Sequence, residues 1–375
     1  MWKGLAAPPV RVARGRQNRG VPSPASAGKA SRAPTREPGI SWYPGHGVRA
    51  TLGMLRFMSN AQAIGSVLAV VPLLLAASSR PGLAQSAGRR EPDSTLQLAF
   101  TFDDLPAHGP LPPGETRMEV ISKILTALTR ARLPPTYGFV NAQWTESEPD
   151  KIAVLRAWRA AGHPLGNHTW SHMNLDANPL EAFEGDIARN EPLVSQLMQG
   201  GDWHWFRFPF LVEGNTQEKK NGIRAYLRNH GYRIAAVTMS FADYAWNEPY
   251  ARCKTREDQK SIRLLEDTYL RAAEASAEYS REMSKRLFHR DIPYVLLMHV
   301  GAFDAEMLPR LLEVYRRQGF RFVTLEQAEQ DAFYANDVDL RLPASADTLE
   351  HALSERGLPL PARPSPARSP DTVCR

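Results

Sequence analysis

The sequence predicts an α/β domain with a parallel sheet covered by helices, and three observations point there. Short apolar runs alternate with longer amphipathic stretches, the pattern of successive βαβ units. Ionisable residues collect at the ends of those runs, where parallel α/β folds gather their function. No internal repeat suggests a solenoid or propeller, and two cysteines are too few for a disulfide framework.

The first strand-like run is Leu96–Phe102, followed by an amphipathic stretch over Arg117–Arg132. There Met118, Ile121, Ile124, Leu125 and Leu128 recur at helical spacing. The alternation continues with a strand at Thr136–Val140 and a helix at Asp150–Ala161. A strand at Pro164–Asn167 precedes a helix at Leu180–Met198, and Trp205–Phe208 precedes Gln217–His230. The last three strands are Arg233–Val237, Tyr294–His299 and Arg321–Thr324, with helices at Lys260–Phe288 and Asp304–Gln318 around the sixth. Seven strands fit either an open doubly wound sheet or a barrel.

The ends of the chain read differently. Residues 1–84 hold 11 of the 46 Lys/Arg and one of the 40 acidic residues, so the formal charge of +6 arises there and the remainder is net −4. The basic character therefore gives no reason to expect a nucleic-acid partner. Met54, Arg56 and Met58 precede an uncharged run from Ile64 to Ala77, and Gly82-Leu83-Ala84 follows. That order is expected of a secretory signal, and the run is short for a stable membrane span. The reading is an exported protein, periplasmic or extracellular, with a signal peptide at 54–84 and a linker at 85–95. Residues 1–53 are expected to be disordered and to lie upstream of the true start, at Met54 or Met58. A catalytic domain over 96–334 and a disordered Pro-rich tail over 335–375 complete the expected organisation.

The chemistry-bearing residues follow the strands. Asp103-Asp104 closes the first apolar run, so one carboxylate could bind a cation while the other handles protons; alone, such a pair reads first as a solvated strand end or a helix N-cap. His168 and His172 lie four residues apart after the third strand, a spacing that puts both on one face of a helical turn. With Asp104 they offer two nitrogens and one oxygen and leave a fourth position for water, as a catalytic zinc site requires. Without cysteine ligands the softer metals fit poorly, although iron(II) suits the same set. Arg207 ends the fourth strand, where a guanidinium would orient a neighbouring carboxylate. His299 ends the sixth, and Asp243 beyond the fifth could pair with it and raise its pKa.

In this order the residues resemble the polysaccharide deacetylase family, also called carbohydrate esterase family 4 or the NodB-homology domain, over about Leu96 to Phe333. Thr-Phe-Asp103-Asp104, His168-Thr-Trp-Ser-His172, Arg207-Phe-Pro-Phe210, Asp243-Tyr244 and Leu297-Met-His299 are similar to its five motifs. The resemblance implies an irregular (β/α) barrel of about seven strands. It implies Asp103 as general base, Asp104, His168 and His172 as metal ligands, Arg207 orienting Asp103, and His299 as general acid tuned by Asp243. A backbone N–H near Phe210 would help to hold the oxyanion. The implied reaction is removal of N-acetyl groups from an amino-sugar polymer or oligomer by metal-bound water. The expected metal is Zn2+, with Co2+, Ni2+ or Fe2+ as substitutes. Peptidoglycan, chitin oligomers and poly-N-acetylglucosamine all carry the required acetamide.

The sequence departs from the family pattern at Phe210, which stands where Tyr is usual, and before Asp243, where Val237–Ala242 lacks the usual Trp and acid. The segment 245–276 reads as an insertion. Two alternatives remain beside the deacetylase: a metal-independent amidohydrolase on the same fold, and a non-catalytic carbohydrate-binding relative.

Overall fold

The computed structural model describes residues 96–147, 150–344, 346–364 and 369–375. The expected signal peptide, linker and upstream segment lie outside these residues. The strands are β1 (Gln97–Leu105), β2 (Tyr137–Val140), β3 (Leu165–Asn167), β4 (Trp205–Phe206), β5 (Arg233–Ile234), β6 (Tyr294–His299) and β7 (Arg321–Phe322). They are all parallel, in the order β5-β4-β3-β2-β1-β6, with β7 joining the start of β1. Beyond β5 the chain reaches β6: Met239 bridges Leu296 in parallel, and Leu297 N–H donates to Met239 O at 3.1 Å. This contact curls the sheet into the irregular seven-stranded (β/α) barrel expected for a single catalytic domain.

Helices α1 (Arg117–Arg130), α2 (Gln143–Ser147), α3 (Lys151–Ala160), α4 (Leu180–Met198) and α5 (Gln217–Asn229) follow the first four strands. The insertion supplies α6 (Asn247–Thr255) and the first part of α7 (Gln259–Phe288), and α8 (Ala302–Arg317) connects β6 to β7. Helix α1 starts at a capping box in which Thr116 and Glu119 satisfy each other's backbone N–H groups. Its buried face is Val120, Ile121, Ile124, Ala127 and Leu128; of the stripe read from the sequence, Ile121, Ile124 and Leu128 lie on it, whereas Leu125 is half-buried and Met118 exposed.

Alternation along β1 sets the two faces of the sheet. Phe100 and Phe102 point outward, with ring contacts to Tyr315 of α8 and Trp158 of α3. Thr101 and Asp103 belong to the opposite face, inside the barrel, where both meet Arg207. A second apolar cluster, including Phe183, Ile187, Phe206, Ile223 and Leu227, packs α4 and α5 onto the β4–β5 side. Strand β3 is pinched: a Cβ on Gly166 would stand 2.6 Å from the Phe139 ring, so only glycine fits there.

The tail differs from the expectation of disorder. After α9 (Leu325–Ala328) and α10 (Ala335–Val338) comes α11 (Leu349–Glu355), capped by Thr348, with Leu349 and Leu353 buried. Cys374 forms a disulfide with Cys253 of α6. The composition there is Pro- and Arg-rich on average, but a short amphipathic helix between the prolines carries enough apolar surface to dock. Among the described residues, no helix is long and apolar enough to cross a membrane.

Candidate active site

The two adjacent aspartates separate because the register of β1 is irregular where they stand. β1 keeps register with β6 up to the pair Asp103↔His299, while its register with β2 shifts between Phe102 and Leu105. Asp104 sits in that irregularity with φ 61°. Asp103 therefore stays on the inner face, 3% exposed, and Asp104 turns toward the loop after β3.

That loop carries His168-Thr-Trp-Ser-His172, and it is not helical, which corrects the expected helical turn. Thr169 (φ 62°) and His172 (φ 58°) are left-handed, and these two twists bring the imidazoles together. Ring centroids lie 4.9 Å apart. Side chains lock the loop: Asn141 Nδ2 donates to Thr169 O at 3.0 Å, Ser171 N–H and Oγ donate to Asp186 at 3.0 Å, and Met173 N–H donates to Thr169 Oγ1 at 3.1 Å. Phe210, Leu211 and Ala242 around the site are left-handed too. Such non-glycine conformations cost about 1–3 kcal/mol each and gather where geometry serves function.

Arg207 follows β4 directly and is fully buried. Its Nη1 lies 3.3 Å from both Asp103 oxygens, Nη2 donates to Thr101 Oγ1 at 3.0 Å, and Nε donates to Ala235 O at 2.7 Å. The Asp103 carboxylate is thus held by a guanidinium that has little freedom of its own.

His168 Nδ1 lies 2.7 Å from Arg207 O. A carbonyl only accepts, so Nδ1 carries the proton and the Nε2 lone pair points away from it, the tautomer of a metal-binding histidine. His168 Nε2 faces Asp104 Oδ1 at 3.5 Å, and His172 Nε2 faces the same oxygen at 3.4 Å. Asp104 Oδ1 is buried and receives no hydrogen bond from any described residue. Burial alone would raise the Asp104 carboxyl, but His172, His108, His168 and His299 together hold it well below the usual carboxylate range. His172 is lowered to about 4, chiefly by burial, and is therefore neutral near pH 7. Electron-rich atoms thus converge, with His168 Nε2 unprotonated and Asp104 Oδ1 accepting no hydrogen bond from the described residues. With metal–ligand bonds of about 2.0–2.1 Å, neighbouring ligands of a tetrahedral ion stand about 3.3–3.4 Å apart. The observed spacings fit a cation seated among these three residues.

Across the barrel mouth, His299 Nδ1 lies 2.9 Å from Asp243 Oδ1, and its backbone N–H donates to Asp243 Oδ2 at 2.7 Å. Burial would lower this imidazole, but the Asp243 carboxylate, with Asp104 and Asp103, raises it to about 10. His299 Nε2 faces the centre, 3.9 Å from Asp104 Oδ2. Beneath it, Asn247 donates to Asp304 at 2.7 Å and accepts from Phe303 N–H at 2.9 Å. Gly301 leaves the space that the Asn247 side chain fills.

The polysaccharide deacetylase family model matches residues 90–235, the stretch that carries the Asp103-Asp104, His168–His172 and Arg207 motifs. Over that stretch the chain is similar to the polysaccharide deacetylase family. A chitooligosaccharide deacetylase of Rhizobium leguminosarum bv. trifolii is 34% identical over 112 residues, 30% of this chain and 46% of that protein. A peptidoglycan-N-acetylglucosamine deacetylase of Bacillus cereus is 27% identical over 106 residues, 28% of this chain and 34% of that protein. The chain thus spans less than half the length of either. A family 4 carbohydrate esterase from Streptomyces lividans, solved with acetate, is 18% identical; the match covers 62% of this chain and 95% of that one, with a TM-score of 0.40.

All seven residues singled out in the sequence meet at the barrel mouth. The sequence reading missed His108. It lies in the loop after β1, with Nδ1 2.8 Å from Asp104 Oδ2 and its ring 4.7 Å from that of His299. The available signal was a histidine four residues beyond Asp104, at the carboxyl end of the first strand. Phe210 adds an edge contact to His172, with centroids 4.5 Å apart, so the residue that departs from the family pattern packs on a candidate ligand.

Proposed function

We propose that this chain is an exported, metal-dependent hydrolase that removes N-acetyl groups from an amino-sugar polymer or oligomer. The single observation that carries the reading is the buried, unsatisfied Asp104 Oδ1, 3.4–3.5 Å from two imidazole nitrogens. Asp104, His168 and His172 would hold a divalent cation, with Zn2+ favoured by two nitrogens and one oxygen. Bound there, such an ion supplies Lewis-acid polarisation of the acetyl carbonyl and lowers the pKa of water.

The protein's own groups divide the proton work. Asp103, held by Arg207, is the acceptor for the proton lost by attacking water. His299, kept charged by Asp243, is the donor to the departing amine. Acetate and a free amino sugar result. The names of the Rhizobium and Bacillus relatives support an N-acetylglucosamine-containing substrate. The Cys253–Cys374 disulfide supports an oxidising compartment and hence the signal peptide proposed at 54–84.

Acetate release from chitin oligomers, peptidoglycan and poly-N-acetylglucosamine tests the proposal. Wild type is expected to release acetate, to lose activity with a chelator and to regain it with Zn2+ or Co2+. Asp103→Asn should fall by about 10²–10⁴-fold with metal retained, whereas His168→Ala should lose both metal and activity. Equal rates in both variants and wild type would refute the proposed roles.

A further inference from the structure

The loop after β1 is built around one side chain that the proposed reaction does not yet use. Ala107 N–H donates to Asp104 O at 2.9 Å, making a tight turn, and Arg117 at the start of α1 donates to the main-chain oxygens of His108 and Gly109. Gly109 is left-handed (φ 62°), and a Cβ there would stand 3.3 Å from Asn247 Cβ. These contacts fix the backbone on both sides of His108 and aim its ring at Asp104.

The two oxygens of Asp104 have separate partners. Oδ1 faces His168 and His172, and Oδ2 lies 2.8 Å from His108 Nδ1. A carboxylate is acceptor-only, so His108 Nδ1 carries the proton and donates it. A separation of 2.8 Å is that of a charge-assisted hydrogen bond and is shorter than the ligand spacing of about 3.3 Å around a tetrahedral ion. His108 therefore shares a proton with Asp104 and not a second cation.

We infer that His108 is a positioning residue: its hydrogen bond to Asp104 Oδ2 turns Oδ1 toward the two imidazoles and sets the affinity of the cation site. This rests on the metal-dependent reading above. The same bond occupies the oxygen 3.9 Å from His299 Nε2, which leaves that nitrogen free to face substrate. Partners of this kind, one bond beyond the ligands, typically change metal affinity by about 10–100-fold.

The test is Zn2+ affinity, read by competition with a chromogenic chelator, together with metal-free melting temperatures. Wild type, His108→Phe and His108→Asn are compared; Phe keeps a ring without a donor, and Asn places an N–H near the Nδ1 position. The expected result is one Zn2+ per chain. His108→Phe should bind about 10–100-fold more weakly and His108→Asn within about threefold of wild type, with unchanged metal-free melting. Equal affinities in all three would overturn the role of His108 while leaving the metal site standing. Two Zn2+ in wild type and one in His108→Phe would also overturn it, because His108 would then be a ligand. A wild type that binds no Zn2+, Co2+ or Fe2+ would remove both the metal reading and this inference.

Discussion

At Asp103 and Asp104, one peptide bond separates two carboxylates with different surroundings. Asp103 continues the strand and meets the buried guanidinium of Arg207, whereas Asp104, left-handed at φ 61°, faces four histidines. Residue types alone suggested this division; what produces it is a backbone conformation that nothing in Thr-Phe-Asp-Asp-Leu announces. His108 is hard to read for a related reason: a lone histidine among prolines and glycines has no periodicity to assign it a face, and its spacing from Asp104 is the one cue. His299 and Asp243 were readable as a pair because each ends or follows a strand, and the structure joins them at 2.9 Å. In the proposed mechanism His299 acts while protonated, so activity is lost as pH rises through its pKa. Asp243 raises that pKa, toward about 10 in the chain without a cation. A cation at Asp104 pushes it the other way. Asp243→Asn removes a charge that favours imidazolium, so the alkaline limb of the kcat profile should move to lower pH, by about 1–3 units. An unmoved limb in that variant would show that another group sets it.

The elements were legible where period and length agreed. Tyr294–His299 and Leu180–Met198 have the boundaries that the pattern implies, because one is a continuous apolar run and the other keeps one buried face. β4 and β5 are shorter than their apolar runs: Phe208 and Val237 are buried by side-chain packing without continuing the ladder. The insertion was visible, but its use was not: its first helix brings Asn247 beneath the His299 loop through a contact to Asp304, far away in sequence. The tail was misjudged because composition averaged Leu349, Ala352 and Leu353 with flanking prolines, although these three form one helix face. Its last turn is tied to α6 by Cys253–Cys374 across 121 residues, and Arg252 adds bonds to Asp371 O and Val373 O. Closing so long a loop restricts the unfolded chain. Cys374→Ser should therefore lower unfolding stability by about 2–5 kcal/mol, measured by denaturant titration. Reduction should do the same to wild type and nothing to the variant; a variant as stable as wild type would show that the disulfide contributes little.

For the molecule as a whole, the barrel gathers residues that are up to 196 positions apart, from Asp103 to His299, at one rim. The parallel order was implied by alternation of strands and helices. Closure was not, because it depends on Thr238 and Met239 bonding to β6 outside any recognisable apolar strand. In the proposed function the rim geometry serves one requirement: Asp104, His168 and His172 would share a single cation, leaving Asp103 and His299 on either side of the remaining space. Diffraction from crystals grown with Zn2+, collected at the zinc absorption edge, tests this most directly. One anomalous peak is expected about 2.0–2.2 Å from Asp104 Oδ1, His168 Nε2 and His172 Nε2. A fully occupied zinc elsewhere, or no peak at these three residues at saturating Zn2+, would contradict the proposed function.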